Sequence, residues 1–399
     1  MERLLGILTS KPAIFFSLIG AGGGGTILLR NYLTGKSQYE VPDDVAGKTF
    51  IVTGATSGIG HATAAALAEK KARVIMACRD MEACRNERRK IVLNTQNKRI
   101  VCRECDLSSL YSVTQFAKRM LKEEGPNLYC LVNNAAVLHP PCRKDPDTKK
   151  YVRTVTADGF ETAFGVNYLG HFLLTMLLLD PMLKRGGEFR VVNLAAPAAL
   201  KDEASVNFPD LNWEGEYDKD RAYVQSKLAL DMLTVELNRR LRRLQVSDVT
   251  VNSVNPGPTR TNLERHMTYK RYIISRGLMG LWSYITFQTP TQAARSVLYA
   301  ATEPALTGES GHVYRDCQPK EHPLSALDLK NDIRLFLTAE QWTRLGERRA
   351  QVDAFLRSES PELLNKTQSV AGSTGRSEFG LFSGVLNRLS GALWSFIGL

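Results

Sequence analysis

The chain has 399 residues, 43% of them hydrophobic and 23% charged, which is typical of a globular protein with a large buried core. Its formal net charge is +11, but the basic residues are scattered among acidic ones and no basic-aromatic recognition module is present, so we predict no nucleic-acid partner. Seven cysteines at irregular spacing exclude a disulfide framework, and we expect reduced thiols. Cys102 and Cys105 form a C-x-x-C pair without a second pair or nearby histidines, so we predict no metal site and expect the pair to flank a strand end.

The N-terminal region contains an uncharged run, residues 12–29. As a helix it would be about 27 Å long at ~1.5 Å per residue, which barely crosses a bilayer. Gly20 and Gly24 would form a small-residue packing face. We predict that residues 1–36 are a membrane anchor. A cleaved targeting segment and a peripheral or buried helix are the alternatives, although residues 29–33 lack a small-residue cleavage pattern.

The central region alternates short apolar runs with longer helical patterns, which predicts an α/β fold. We expect a Rossmann domain over residues 45–350, a doubly wound parallel sheet with helices on both faces. The predicted strands are Thr49–Thr53, Arg73–Ala77, Ile100–Cys102, Leu128–Val132, Phe189–Leu194, Thr250–Val254 and Gly311–Tyr314. The predicted helices are Ile59–Lys70, Asp80–Thr95, Leu110–Glu123, Gly159–Leu183, Ala222–Leu244 and Pro290–Ala301.

A glycine-rich turn follows the first strand, with glycines at 54, 58 and 60 before an alanine-rich helix. This context is typical of a dinucleotide site, because the backbone can approach a pyrophosphate at the positive end of the helix. Arg79 follows the second strand, where an arginine accepts the 2′-phosphate of NADP. The next residue, Asp80, could offer a carboxylate to the ribose of NAD, so NAD is the alternative cofactor. Arg79 could also be a surface cation at the start of a helix. Asp106, after the third strand, could contact the adenine amine.

Tyr223 and Lys227 are one helical turn apart and therefore share a face. An ammonium beside a phenol lowers the phenol's pKa from ~10 toward working pH, which predicts an acid/base pair for an alcohol or carbonyl. Asn167 lies in a long apolar helix, where its amide could hold a water that relays the proton of Lys227 or could be a satisfied core residue. We interpret His171 as a packing residue.

Three segments in the second half of the chain have unusual sequence patterns. Residues 239–243 place four arginines at a helix end, which indicates a solvated terminus or, alternatively, a contact with anionic lipid. Residues 357–378 are rich in Ser, Thr, Asn and Gly and predict a flexible linker. Residues 379–399 have apolar positions at helical spacing and predict an amphipathic helix that touches a membrane or packs on the domain.

These motifs together resemble the short-chain dehydrogenase/reductase family across residues 48–317. The stretches 77–82, 167–175, 210–213 and 225–229 are similar to the membrane-associated retinol dehydrogenases. The resemblance implies NADP(H), a lipophilic substrate such as retinal or retinol, a mitochondrial or endoplasmic reticulum membrane, and a homodimer through helices 159–183 and 222–244. It implies catalytic roles for Asn167, Tyr223 and Lys227 and a substrate contact at position 196. The implied cofactor contacts are Gly54, Ser57, Ile59, Gly60, Arg79, Asp106, Leu107, Asn133, Ala135, Tyr223, Lys227, Pro256, Gly257 and Thr259.

Two features depart from the family pattern. The serine pair expected after the fifth strand is Ala195 and Ala196, and removing one such donor costs about a hundred- to a thousandfold in rate. A charged insertion, residues 142–152, borders the expected ligand crevice. We therefore predict an NADP(H)-dependent oxidoreductase slowed by Ala196. The alternatives are a non-catalytic NADP(H)-binding scaffold or sensor at a membrane and, less supported, a lipid carrier without cofactor.

Overall fold

The computed structural model describes residues 39–359, with gaps at 139, 141–143, 145, 147–149 and 260–286. The predicted N-terminal anchor and the C-terminal amphipathic helix lie outside these described residues, as does most of the charged insertion. The last described helix ends at Glu359, so residues 357–359 are helical and the predicted linker cannot begin at 357.

Eight strands form a single sheet in the described chain. The strands are β1 Thr49–Thr53, β2 Arg73–Cys78, β3 Ile100–Glu104, β4 Leu128–Asn133, β5 Phe189–Leu194, β6 Val249–Val254, β7 Val313–Arg315 and β8 Gln318–Lys320. Their order in the sheet is β3-β2-β1-β4-β5-β6-β7-β8, and every neighbouring pair is parallel except β7 and β8. The order reverses between β1 and β4, and ligands bind at such a switch point in open α/β sheets. The predicted Rossmann sheet is confirmed, and of the described strands only β8 was not predicted.

Helices cover both faces of the sheet, as predicted. The helices are α1 Gly58–Glu69, α2 Met81–Thr95, α3 Leu110–Glu124, α4 Thr162–Arg185, α5 Lys219–Arg243, α6 Pro290–Thr302, α7 Leu329–Trp342 and α8 Leu345–Glu359. One apolar core joins α1, α2 and α6 to the sheet, and a second joins α3, α4, α5, α7 and α8 to its other face. The central strands are buried along their full length because both faces are covered.

Helix α4 is the one helix among the described residues that is long and apolar enough to cross a membrane. Its apolar window is 94% buried inside the protein, so it is a core helix of the Rossmann domain. Within it, residues Gly165–Leu169 form a single π-helical turn, in which Gly170 N donates to Gly165 O. Such wide turns occur frequently at functional sites because they reorient the side chains of one turn.

Helices α7 and α8 were not predicted, and they form an extra layer outside α3, α4 and α5. Arg239 of α5 pairs with the buried Asp332 of α7 at 2.6 Å, and Arg349 of α8 pairs with Asp180 of α4 at 3.0 Å. The apolar surfaces of α4 and α5 that point away from the sheet are thus covered within the chain. The predicted homodimer through these two helices stays a prediction.

The expectation that all thiols are reduced is wrong for one pair, because Cys84 of α2 and Cys102 of β3 form a disulfide. The two residues are 18 positions apart in sequence, and only the packing of α2 against β3 brings them together. Cys105 follows the end of β3, as predicted, and is a buried free thiol. Among the described residues no group of three or more His, Cys, Asp or Glu could hold a metal ion.

Candidate active site

A cavity of about 820 Å³ opens at the carboxyl ends of β1 to β6, at the topological switch point. This volume lies within the range of small-molecule and cofactor sites. Its floor combines the turn after β1, the ends of the neighbouring strands and one face of α5. Most of the predicted site residues line it: Gly54, Ser57, Ile59, Arg79, Asp106, Leu107, Ala135, Ala196, Tyr223, Lys227, Pro256, Gly257 and Thr259.

The turn after β1 is built for close backbone approach. Gly54 has φ +66°, and a Cβ there would lie 2.9 Å from the Cα of Ala135. A Cβ on Gly60 would lie 2.3 Å from Asn134 Nδ2, so no larger residue fits without displacing that amide. Ser57 is the N-cap residue of α1, yet its side chain makes no capping hydrogen bond. The first N–H groups of α1 therefore face a cavity in which a pyrophosphate would satisfy them.

Charged groups at the mouth of the cavity have different surroundings. Arg79 is exposed and makes no hydrogen bond or ion pair with any other described residue. Asp80 is the N-cap of α2, where its Oδ1 accepts from Ala83 N at 2.9 Å. Asp106 Oδ1 accepts from both the backbone N and the hydroxyl of Ser108. The Asp80 carboxylate thus has a structural partner, whereas the guanidinium of Arg79 has none in the described part of the chain.

Tyr223 and Lys227 both face the cavity from α5, as their spacing predicts. Lys227 Nζ donates to Leu194 O at 2.9 Å, and burial lowers the pKa of this lysine to about 8. Burial also raises the pKa of Tyr223 to about 12. The expected lowering of the tyrosine pKa by the lysine is therefore wrong for the protein alone, because desolvation of the phenolate outweighs any attraction to the ammonium.

Asn167 lies in the π-helical turn of α4 and is fully buried, behind the cavity wall. Its amide is engaged on both sides: Oδ1 accepts from Val137 N at 2.8 Å, and Nδ2 donates to Val137 O and Ser226 Oγ, each at 2.9 Å. Both amide hydrogens are used within the protein. Asn167 thus joins the segment after β4 to α5, beside Lys227, and its predicted role in holding a water stays a prediction.

Three predicted site residues do not line the cavity: Gly60, Asn133 and Asn167. The Asn133 side chain is fully buried and bonds Thr175 and Asn193 inside the α4 side of the sheet. Gly60 acts through its missing side chain, by admitting Asn134. The predicted cofactor and catalytic contacts of these three residues stay predictions, because none of the three lines the cavity.

The wall beside Tyr223 is apolar, and Ala196 is part of it. Residues 195–199 read Ala-Ala-Pro-Ala-Ala, so this strand end offers no side-chain hydroxyl. Sequence reasoning missed Thr156, in the segment before α4, and Thr162, the first residue of α4, which both reach the cavity wall. Only the chain path between β4 and α4 places them there, and their spacing carried no signal of it. Other apolar lining residues include Val137, Leu138, Val155, Val166, Leu194, Pro197, Ala198 and Phe287.

Comparisons with known proteins agree with this geometry. The sequence profile of the short chain dehydrogenase family matches residues 48–271. Retinol dehydrogenase 13 of Mus musculus is 42% identical over 324 residues, covering 80% of this chain and 90% of that relative. Retinol dehydrogenase 14 of Homo sapiens is 40% identical over 300 residues, covering 72% and 83%. The crystal structure of an uncharacterized protein from Mycobacterium Paratuberculosis has 29% identity and a TM-score of 0.57, covering 77% of this chain and 96% of that one.

The match covers the cavity lining from the turn after β1 through Tyr223 and Lys227 to the end of β6, and of the lining residues only Phe287 lies beyond it. The identity to the relatives extends over most of the chain on both sides of the comparison. The chain therefore belongs to the short-chain dehydrogenase family of nicotinamide-dependent oxidoreductases, within its retinol dehydrogenase subfamily.

Proposed function

We propose that this protein is an NADP(H)-dependent oxidoreductase that interconverts a lipophilic carbonyl and its alcohol, at a rate reduced by Ala196. The observation that carries the proposal is the single cavity that joins the dinucleotide turn, Arg79 and the Tyr223–Lys227 pair. Its wall beside Tyr223 is apolar, which suits a substrate such as retinal, and the related proteins are retinol dehydrogenases by name. NADPH, when bound, supplies the hydride.

The cofactor site fits a dinucleotide on structural grounds. Gly54 and Gly60 leave a turn that a side chain would fill, and α1 presents its uncapped N-terminus above it. Arg79 lines the cavity just after β2, which supports a contact with a 2′-phosphate. Asp80 caps α2, so its carboxylate is occupied in part by a backbone N–H. We therefore propose NADP(H) in preference to NAD.

The proton chemistry follows from the two side chains on α5. With a pKa near 12, the phenol of Tyr223 is protonated at neutral pH, which is the form that donates a proton to a carbonyl oxygen. Lys227, with a pKa near 8, is still mostly cationic at neutral pH and stabilises the phenolate that remains. This pairing favours carbonyl reduction near neutral pH. Alcohol oxidation requires the phenolate and should therefore become faster as pH rises.

Ala196 removes a hydrogen-bond donor to the substrate oxygen. The methyl group forms part of the cavity wall and is 5% exposed, so the substrate oxygen is left with Tyr223 as its side-chain donor in this part of the wall. Losing one donor of this kind costs about a hundred- to a thousandfold in rate. The proposal is thus a slow enzyme, and its competitor is a protein that binds NADP(H) without turnover.

Purified protein with NADPH and retinal tests the proposal. We expect slow NADPH consumption, none in Tyr223→Phe, and a gain of about a hundredfold in Ala196→Ser. Ala195→Ser is the matched control, because it adds the same hydroxyl one residue earlier and should gain little. Cofactor binding without turnover in both the native protein and Ala196→Ser would overturn the enzyme proposal and favour the scaffold or sensor.

Cofactor choice has its own test. Arg79→Ala should weaken NADPH binding far more than NADH binding, because only NADPH carries the 2′-phosphate. Arg85 is also exposed and lies on α2, so Arg85→Ala is the control for the loss of one positive charge. If Arg79→Ala weakened the binding of NADPH and NADH equally, this arginine would not bind the 2′-phosphate, and NAD would again be a candidate cofactor.

We also propose that the protein is attached to a membrane through residues 1–36, which would bring it near a lipophilic substrate. The support is the uncharged run at residues 12–29, which is long enough to cross a bilayer as a helix. The long apolar helix α4 is buried in the core of the Rossmann domain and does not serve as an anchor. The full chain should remain in the membrane fraction after a high-salt wash, whereas a chain without residues 1–36 should be released. Retention of the shortened chain would move the attachment to another segment, such as residues 379–399.

A further inference from the structure

His171 is fully buried on α4, four residues after Asn167, and both of its ring nitrogens are engaged. Nδ1 lies 2.9 Å from the backbone oxygen of Asn167, and Nε2 lies 2.9 Å from Thr53 Oγ1. Thr53 is the last residue of β1, directly before the cofactor turn. The imidazole therefore bridges the Asn167 turn of α4 and the dinucleotide turn, which nothing in its sequence position suggests.

The direction of each hydrogen bond in this bridge can be assigned. A carbonyl oxygen only accepts, so Nδ1 carries the hydrogen that bonds Asn167 O. Burial holds the ring neutral, with a pKa lowered to about 3, so Nε2 is an acceptor. Thr53 then donates its one hydroxyl hydrogen to Nε2 at 2.9 Å, the nearer of its two acceptors, because Val132 O lies 3.3 Å from the same hydroxyl. Its oxygen in turn accepts the backbone N–H groups of Asn134 and Ala135, at 2.9 and 3.0 Å.

The result is one directed chain of hydrogen bonds across three elements. It begins at the end of β4, where Asn134 also donates from Nδ2 to Thr53 O at 2.8 Å and limits the space at Gly60. It passes through Thr53 and His171 and ends on Asn167, whose amide holds Ser226 beside Lys227. A shift of the imidazole would therefore change the spacing between the cofactor turn and the catalytic face of α5.

We infer that His171 is a positioning residue, which sets the distance between the dinucleotide turn and the Asn167 segment. The inference rests on the proposed function for its effect on turnover, but its effect on cofactor binding does not depend on turnover. Cofactor affinity depends on the Thr53 half of the bridge, because that half holds the turn. The rate of the chemical step depends on the Asn167 half, because that half holds the elements next to Tyr223 and Lys227.

Three substitutions separate the two halves. His171→Asn keeps a donor near the Nδ1 position and loses the reach to Thr53, whereas His171→Gln places an amide near the Nε2 position and loses the bond to Asn167. His171→Phe keeps the approximate volume and loses both. Thr234→Val is the matched control, because it removes buried hydrogen bonds from α5 to Asn193 of β5 and Ser253 of β6 without touching the bridge. The readouts are NADPH affinity, single-turnover rate and urea stability.

We expect the Kd for NADPH to rise about tenfold in His171→Asn and to stay near the native value in His171→Gln, the effect of one net hydrogen bond. We expect the single-turnover rate to fall up to about a hundredfold in His171→Gln and less in His171→Asn, as for a small misplacement of reacting groups. If His171→Phe fails to fold, the other two variants still decide. Stability losses with unchanged affinity and rate, the pattern expected of Thr234→Val, would overturn the inference.

The test remains informative if the native protein shows no turnover. In that case the proposed function fails, while the NADPH affinities of His171→Asn and His171→Gln still report on the Thr53 half of the bridge. Equal affinities in the two variants would then overturn the positioning role. A weaker affinity in His171→Asn alone would support that role in a protein that only binds the cofactor.

Discussion

Lys227 carries a cost to stability that the chemistry of the site explains. Its side chain is 2% exposed, and Leu194 O is its hydrogen-bond partner among the described residues. Burial lowers the pKa from the ordinary 10.5 to about 8, and at ~1.4 kcal/mol per pH unit this difference corresponds to about 3 kcal/mol. Near pH 7 the native state holds a buried ammonium and bears this penalty in full.

Lys227→Met should therefore stabilise the fold while abolishing turnover. The substitution removes about 3 kcal/mol of penalty but leaves Leu194 O without its partner, at a cost of ~1–3 kcal/mol. The net expectation is a gain of about 1 kcal/mol near pH 7. Because the folded-state pKa lies below the unfolded one, the unfolded state binds more protons between about pH 8 and 10.5, and native stability rises with pH there. The advantage of the variant should shrink and reverse across that window.

Urea unfolding of both proteins, near pH 7 and near pH 9.5, measures the two differences. Lys98→Met, at an exposed position, is the control for losing one surface charge. The reasoning is refuted if Lys227→Met is less stable than the native protein near pH 7 by an amount that does not change near pH 9.5. That result would mean that packing and hydrogen bonding at this site, and not the desolvated charge, dominate its energetics.

Two further predictions concern the parts of the fold that the sequence did not show. Phe336 of α7 is 1% exposed and meets the ring of Phe172 edge-on at 5.1 Å. Phe336→Ala should therefore lower the free energy of unfolding by ~3–5 kcal/mol. Leu337 is half-buried, so Leu337→Ala should lower it by clearly less. Urea midpoints check this, and equal losses would contradict the packing of α7. The Cys84–Cys102 disulfide joins residues 18 positions apart, and reducing it opens that loop. Reduction should therefore lower the free energy of unfolding by about 3 kcal/mol. Reductant should have no effect on Cys84→Ser, and a stability unchanged by reduction of the native protein would refute the cross-link.

The sequence was a good guide wherever local pattern and burial agree. The strands β1 and β5 begin and end where they were predicted, because five or six consecutive buried residues between turn signals leave little freedom. The cofactor turn, Arg79 and the Tyr223–Lys227 pair meet in one cavity for the same reason: in a doubly wound sheet the carboxyl ends of the strands share one edge.

Features that depend on distant contacts were not predictable in this way. Helix α8 has only three buried residues, and its apolar positions make sense only against α3 and α4. The Cys84–Cys102 bond depends on how α2 lies on β3, which cysteine spacing cannot show. The pKa of Tyr223 was misjudged because sequence shows the neighbouring lysine but not the depth of burial. The His171 bridge was missed because hydrogen-bond partners follow from tertiary packing.

The outer layer made by α7 and α8 has a consequence for how the protein is synthesised. Arg348 bonds Leu110 O, and Lys122 pairs with Glu359, so these contacts join residues more than two hundred positions apart. The apolar faces of α4 and α5 leave the ribosome long before the helices that cover them. During translation those faces are exposed to other chains, and such surfaces are prone to aggregation. A chaperone that occupies them until residue 359 has emerged would therefore raise the yield of folded protein.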